Sequence, residues 1–356
     1  MAGQGQIFAG WRGLGRFWLV VALFLASGGV TLEILGPPSA ISTRPLASQT
    51  TPAAPPPAQP KPQPAKPPPK EAAAIATARL RPGRDTPGPI TDPDPALLEP
   101  VAGSTSTFLP HIASDGRMPM QVYAAGFDTT TRRPRVGLLL AGIGLNQAES
   151  ETAIRTLPGG VTLAISPYAE NISKLLTLAR AAEHEYLISI PMEPQGFPLN
   201  DPGKEALMTN LSPEQNLSRL EWVLSRVAGY VGATGALGSL RGERFASLAD
   251  EMKPVLSELA QRGLLYIDPR PGAAPLPLVW SRAIDLVVDE PENAASIDDK
   301  LARLTKLAHD KGSALGLATV IRPITIQRVA AWANGLEADG LALAPVSALA
   351  QPPVAR

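Results

Sequence analysis

Six polar side chains fall at or near the carboxyl ends of apolar runs: Ser189, Glu193, Ser239, Asp268, Arg270 and Arg322. The two carboxylates, Glu193 and Asp268, are the candidates for acid-base work in a hydrolase, because a positioned carboxylate can take a proton from an attacking water. Ser189, Ser239, Arg270 and Arg322 are candidates for holding a substrate. Each also has an ordinary structural reading. Asp268 precedes Pro269, as a turn aspartate does, and Glu193 stands in the stretch "PMEP", where flanking prolines stiffen a loop with or without a function. Ser239 in "LGSLR" lacks the glycine spacing of a nucleophile elbow, and "GIGLN" lacks the third glycine of a dinucleotide fingerprint.

These residues need strands to present them. From about residue 133 the chain alternates short apolar runs with amphipathic stretches, the pattern of βα units around a parallel sheet. The runs are "RVGLLLA", "VTLAIS", "EYLISIP", "VGATGAL", "LLYID", "AIDLVVD", "SALGLATV" and "GLALAPVSAL". Ser212, Pro213 and Gln215 spell a capping box that predicts a helix start at Pro213. The fold class expected from this pattern is α/β, a complete or incomplete (β/α) barrel over residues 133–350, with a site where the strands' carboxyl ends meet.

Composition separates this part from the rest. About half of the 39 prolines fall between Pro37 and Pro100, so residues 37–132 are read as a proline-rich, disordered linker, and residues 351–356 as a tail. Upstream, Arg12 and Arg16 precede the uncharged run "FWLVVALFLASGGVTL". Residues 1–36 are read as a cytoplasmic tip followed by a membrane anchor, with a signal segment cleaved after Ala26-Ser27-Gly28 as the alternative. The basic flank stays inside and the remainder is exported. The localisation expected is a bacterial inner membrane, single-pass, with the folded domain facing the periplasm.

Formal net charge is zero, which argues against nucleic-acid binding. The absence of cysteine removes disulfides and thiolate ligands. Of the three histidines, His111 falls in the linker or its margin, while His184 and His309 sit at helix ends and are read as solvent-facing or dipole-stabilised.

In their order, "LPGGVTLAISPYAEN", "LISIPMEPQGFP", "RGLLYIDPR" and "LALAPVSAL" resemble the divergent polysaccharide deacetylase family, relatives of the carbohydrate esterases. The resemblance covers about Arg135 to Leu349. It implies a deformed, polysaccharide deacetylase-like (β/α) barrel, whose metal-dependent relatives hold a divalent ion with one aspartate and two histidines, with a further carboxylate as base. The family's paired aspartates on the first strand correspond here to Ala141 and Gly142. Its histidine before Pro-Met-Glu-Pro corresponds to Ser189. A second corresponds to Ala236, with Thr234 and Gly235 replacing polar neighbours, and a third to Thr319. Asp268 matches the aspartate of an Asp-Ser segment whose serine is here Pro269. The expectation is therefore no metal and no cofactor, and a membrane-anchored envelope protein linked to carbohydrate metabolism. Its barrel is expected to bind a glycan or an envelope partner without catalysis. The alternatives are an active carbohydrate deacetylase or hydrolase with a non-standard site, and a purely structural tether.

Overall fold

Apolar side chains two apart point to the same side of a strand, and this period of two sorts the barrel's residues into layers. In the computed structural model, which describes residues 81–354 apart from 102 and 105, β3 (Arg135–Ile143) sends Leu139 and Ala141 into one buried cluster and Leu138 and Leu140 into another. The first cluster also holds Ala164, Leu187, Leu265, Ile267, Leu315 and Leu317 and fills the barrel. The second holds Leu163, Ile165, Ile188 and Tyr266 and lies beneath the helices. The expected anchor and the first part of the expected linker lie outside the described residues.

Before β3 come a 3-10 helix at Pro95–Leu97, an antiparallel ribbon of β1 (Leu98–Pro100) and β2 (Phe108–Pro110), and a short α1 (Pro119–Val122). This corrects the linker reading for residues 81–132. Leu97, Met120, Tyr123, Ala124 and Phe127 are buried in the barrel's inner cluster. The Asp94 N–H donates to Tyr123 Oη at 2.8 Å, and the Ala125 N–H to buried Glu185 at 2.9 Å. Gly126 makes the close approach possible, since a Cβ there would lie 2.2 Å from the Thr86 carbonyl oxygen. Averaged over the segment, proline hid this local apolar cluster.

The barrel continues through α2 (Gln147–Thr156), β4 (Thr162–Ile165), α3 (Ser173–Ala181), β5 (Tyr186–Ser189), α4 (Pro213–Leu224), β6 (Gly232–Thr234), α5 (Glu243–Ala246), α6 (Ala249–Gln261) and β7 (Leu265–Asp268). The expected capping box at Ser212 is formed, with Gln215 reaching back to the Ser212 N–H. The run "AIDLVVD" divides into β8 (Ser281–Ala283) and β9 (Leu286–Val287), followed by α7 (Ala294–Lys311), β10 (Ser313–Ala318), α8 (Pro323–Gly335), β11 (Ala342–Leu343) and α9 (Val346–Leu349).

Pairing runs β8-β7-β6-β5-β4-β3-β10-β9, all parallel, and β11 pairs with the first residues of β3. The two ends of this path are separated in the chain only by Ile284 and Asp285. Ile284 N–H donates to the Asp268 carbonyl of β7, while Asp285 N–H donates to the Leu315 carbonyl of β10. The sheet therefore curls round, and one irregular segment bridges its edges. The result is a deformed (β/α) barrel, as the resemblance implied.

His184 departs from its expected surface position. It is completely buried, with Nδ1 2.7 Å from the Val161 carbonyl oxygen and Nε2 3.1 Å from that of Ile154. Burial lowers its pKa below the ordinary 6.5, against the carbonyls that favour the charged ring. Unfolding therefore takes up a proton below about pH 6.5. The stability His184 contributes is fully present above that value and declines as pH falls below it. Denaturant unfolding at several pH values should show this slope in the native chain and a flatter one in His184→Gln; identical slopes would refute it.

Candidate functional site

At the carboxyl ends of the strands, the side chains with inward parity are Ala141 (β3), Ser166 (after β4), Ser189 (β5), Thr234 (β6), Asp289 (after β9) and Thr319 (after β10). All six are at most 1% exposed. Asp289 is the one carboxylate among them. It accepts from the Thr319 N–H at 2.8 Å, the Val320 N–H at 2.9 Å and Thr319 Oγ1 at 3.1 Å, and burial raises its pKa against those bonds. Sequence reasoning missed Asp289. The available signal was its place as the last residue of the apolar run "AIDLVVD". Ser189 Oγ is buried without a hydrogen-bond partner.

Over this layer opens a cavity of about 150 Å³ lined by Gly142, Asn146, Glu149, Thr319 and Arg322, with Leu145, Gly238, Val320 and Ile321 between them. The chain turns from β3 into α2 here. Gly142 and Gly144 take φ values of +87° and +92°, and Asn146 caps α2 by accepting from the Glu149 N–H. Arg322 is exposed and loosely held, 3.4 Å from Glu292 and 3.8 Å from Glu149. Among the residues proposed from sequence, only Arg322 lines this cavity. Ser239 is exposed directly after Gly238 on its rim.

The other candidates are engaged elsewhere. Glu193, with 4% of its side chain exposed, accepts from the Thr209 N–H at 2.7 Å and Thr209 Oγ1 at 2.6 Å, and pairs with Arg244 at 3.0 Å. It braces the loop after β5 against α5. Asp268 has the parity of Tyr266, toward the helices, and is held bidentately by Arg270 at 2.9 and 2.6 Å. Bonding to Asp268 is the main reason the Arg270 pKa is raised. Arg270 lines a different cavity, beside Met252 and Leu256 of α6. Glu193 and Asp268 are thus each paired with a different arginine, Arg244 and Arg270.

The donor set at the barrel mouth does not fit a catalytic divalent ion of the kind the resemblance implies. Such an ion draws on imidazole or thiolate together with carboxylate. Here alanine, glycine, serine and threonine occupy the matching places, and Asp289 is a lone carboxylate already accepting from two backbone N–H groups and the Thr319 hydroxyl. His111 lies in the amino-terminal segment, His184 is buried just before β5 and His309 is exposed on α7. Among the described residues, no three His, Cys, Asp or Glu side chains are grouped so as to hold a metal.

A family model described as divergent polysaccharide deacetylase matches residues 138–350. The fold is similar to the crystal structure of an uncharacterized protein, ATU2773, from Agrobacterium tumefaciens C58. The TM-score is 0.63 and the identity 30%, over 68% of this chain and 99% of that one. No curated protein matches the sequence.

Proposed function

Because the chain belongs to the divergent polysaccharide deacetylase family, we propose that its barrel is a non-catalytic binding domain for a glycan of the cell envelope, carried on a membrane anchor in residues 1–36. The observation that carries this reading is the survival of a barrel-mouth cavity without the family's metal-binding side chains. Hydrogen-bonding groups of Asn146, Glu149 and Arg322 stand there beside Leu145 and Ile321. Convergent polar groups among apolar walls suit the hydroxyl edges and C–H faces of a sugar. Among the described residues no helix is long and apolar enough to cross a membrane. The anchor therefore rests on the uncharged run after Arg16 alone.

The test is calorimetric titration of the full chain, in neutral detergent, with acetylated and deacetylated chitooligosaccharides. Binding should weaken about tenfold in Arg322→Ala, a loss of about 1.4 kcal/mol. The same affinity in native and Arg322→Ala chains would move the glycan elsewhere. Acetate release on adding zinc, cobalt or manganese would favour the deacetylase reading. Membrane fractionation checks the anchor, and recovery of a soluble mature chain beginning near Gly29 would replace it with a cleaved signal.

A further inference from the structure

At the opposite end of the barrel, where the strands begin, a cavity of about 130 Å³ is lined by Arg81, Arg84, Phe127, Thr129, Arg135 and Ser347. Three guanidinium groups thus line a space of roughly four water volumes. Only Arg81 has a carboxylate partner here, Asp85 at 3.0 Å. Arg84 donates to the carbonyl oxygens of Gly88 at 2.6 Å and Pro89 at 3.3 Å, and its Nε–H is buried with no partner. Arg135 donates to the carbonyls of Thr129 and Ala348 and stacks over Phe127, 5.4 Å from the ring centroid. Carbonyls accept hydrogen bonds but neutralise no charge. Carboxylates on the adjoining segments are engaged: Asp85 also accepts from the Thr129 hydroxyl, Asp128 accepts from the Thr130 N–H and hydroxyl while attracted by the Arg135 charge, and Glu185 accepts from Ser347.

A buried, unpaired guanidinium N–H beside two further arginines calls for a compact acceptor of negative charge. A tetrahedral oxyanion meets the forked donors and fits the volume. We propose that this cavity binds a phosphate group, with Arg84 and Arg135 as its main holders. Free inorganic phosphate and the phosphate of a glycerophospholipid headgroup share this chemistry.

The test uses the full chain in neutral detergent at low ionic strength, with equilibrium dialysis of labelled inorganic phosphate. One equivalent should bind saturably, and Arg84→Gln should weaken it at least tenfold. Because Arg84 also braces a loop, a second variant, Ala350→Glu, sets a carboxylate on the cavity rim without removing an arginine, and should weaken binding to a similar degree. Displacement of the bound phosphate by glycerol 3-phosphate would assign the site to a headgroup. Retention of inorganic phosphate against glycerol 3-phosphate would assign it to the free ion. Absence of saturable binding, or native affinity in both variants, would overturn the proposal.

Discussion

Glu185→Ala is expected to lower the thermal midpoint by roughly 5–20 °C. Glu185 is completely buried, just before β5, and its two oxygens take four donors: the Ala125 N–H at 2.9 Å, Ser347 Oγ at 2.6 Å, the Ser347 N–H at 3.0 Å and Thr162 Oγ1 at 3.1 Å. These come from the amino-terminal segment, from β4 and from α9, so one side chain joins three parts of the chain at the base of the barrel. Burial pushes its carboxyl pKa up, opposed by those bonds. Hydroxyls can turn to other acceptors, but the two backbone N–H groups cannot. Each is left unpaired at about 1–3 kcal/mol, roughly 2–6 kcal/mol together. Folded domains have only about 5–15 kcal/mol in hand, so the loss is a large share of the total. Melting followed by circular dichroism checks this, and a shift under about 2 °C would mean that water or a rearranged loop replaces the carboxylate.

The second large effect is expected on placing an aspartate on β3, where the resemblance implies one. Ala141 is fully buried in the inner cluster with Leu139, Leu187 and Ile267. In Ala141→Asp the new carboxylate has neither a cation nor a ligand set to share, and an uncompensated buried charge costs about 3–5 kcal/mol. Added zinc should not restore the loss, because Ser189, Ala236 and Thr319 bring no imidazole. Gly142→Asp is the control. A Cβ there meets nothing closer than 3.7 Å, so its cost is the backbone strain of φ +87°, about 1–2 kcal/mol. Denaturant unfolding of both variants, with and without zinc, makes the comparison. Recovery of the Ala141→Asp loss by one equivalent of zinc would show that the barrel mouth still assembles a metal site.

Local physics made much of the barrel readable. β3, β4, β5 and β7 lie in apolar runs too short for a helix, and Ser212, Pro213 and Gln215 set the start of α4 through groups within four residues of one another. Signals of that range survive in a linear text, and so does the absence of carboxylate and imidazole at Ala141, Gly142, Ser189, Ala236 and Thr319, the places the resemblance assigns to ligands. What the text does not carry is direction and distant partnership. Glu193 reads as a candidate base until Thr209 and Arg244, 16 and 51 residues away, are seen to occupy it. Asp268 shares the strand-end position of a functional residue, but its parity turns it toward the helices and Arg270. The proline-rich composition of residues 37–132 concealed the folded part after Arg81, because its anchoring bond, Ala125 to Glu185, spans 60 residues. His184 shows the same limit. A helix-end histidine is exposed or buried according to which carbonyls lie above it, and Ile154 and Val161 reach it only when α2 and β4 close over that end of α3.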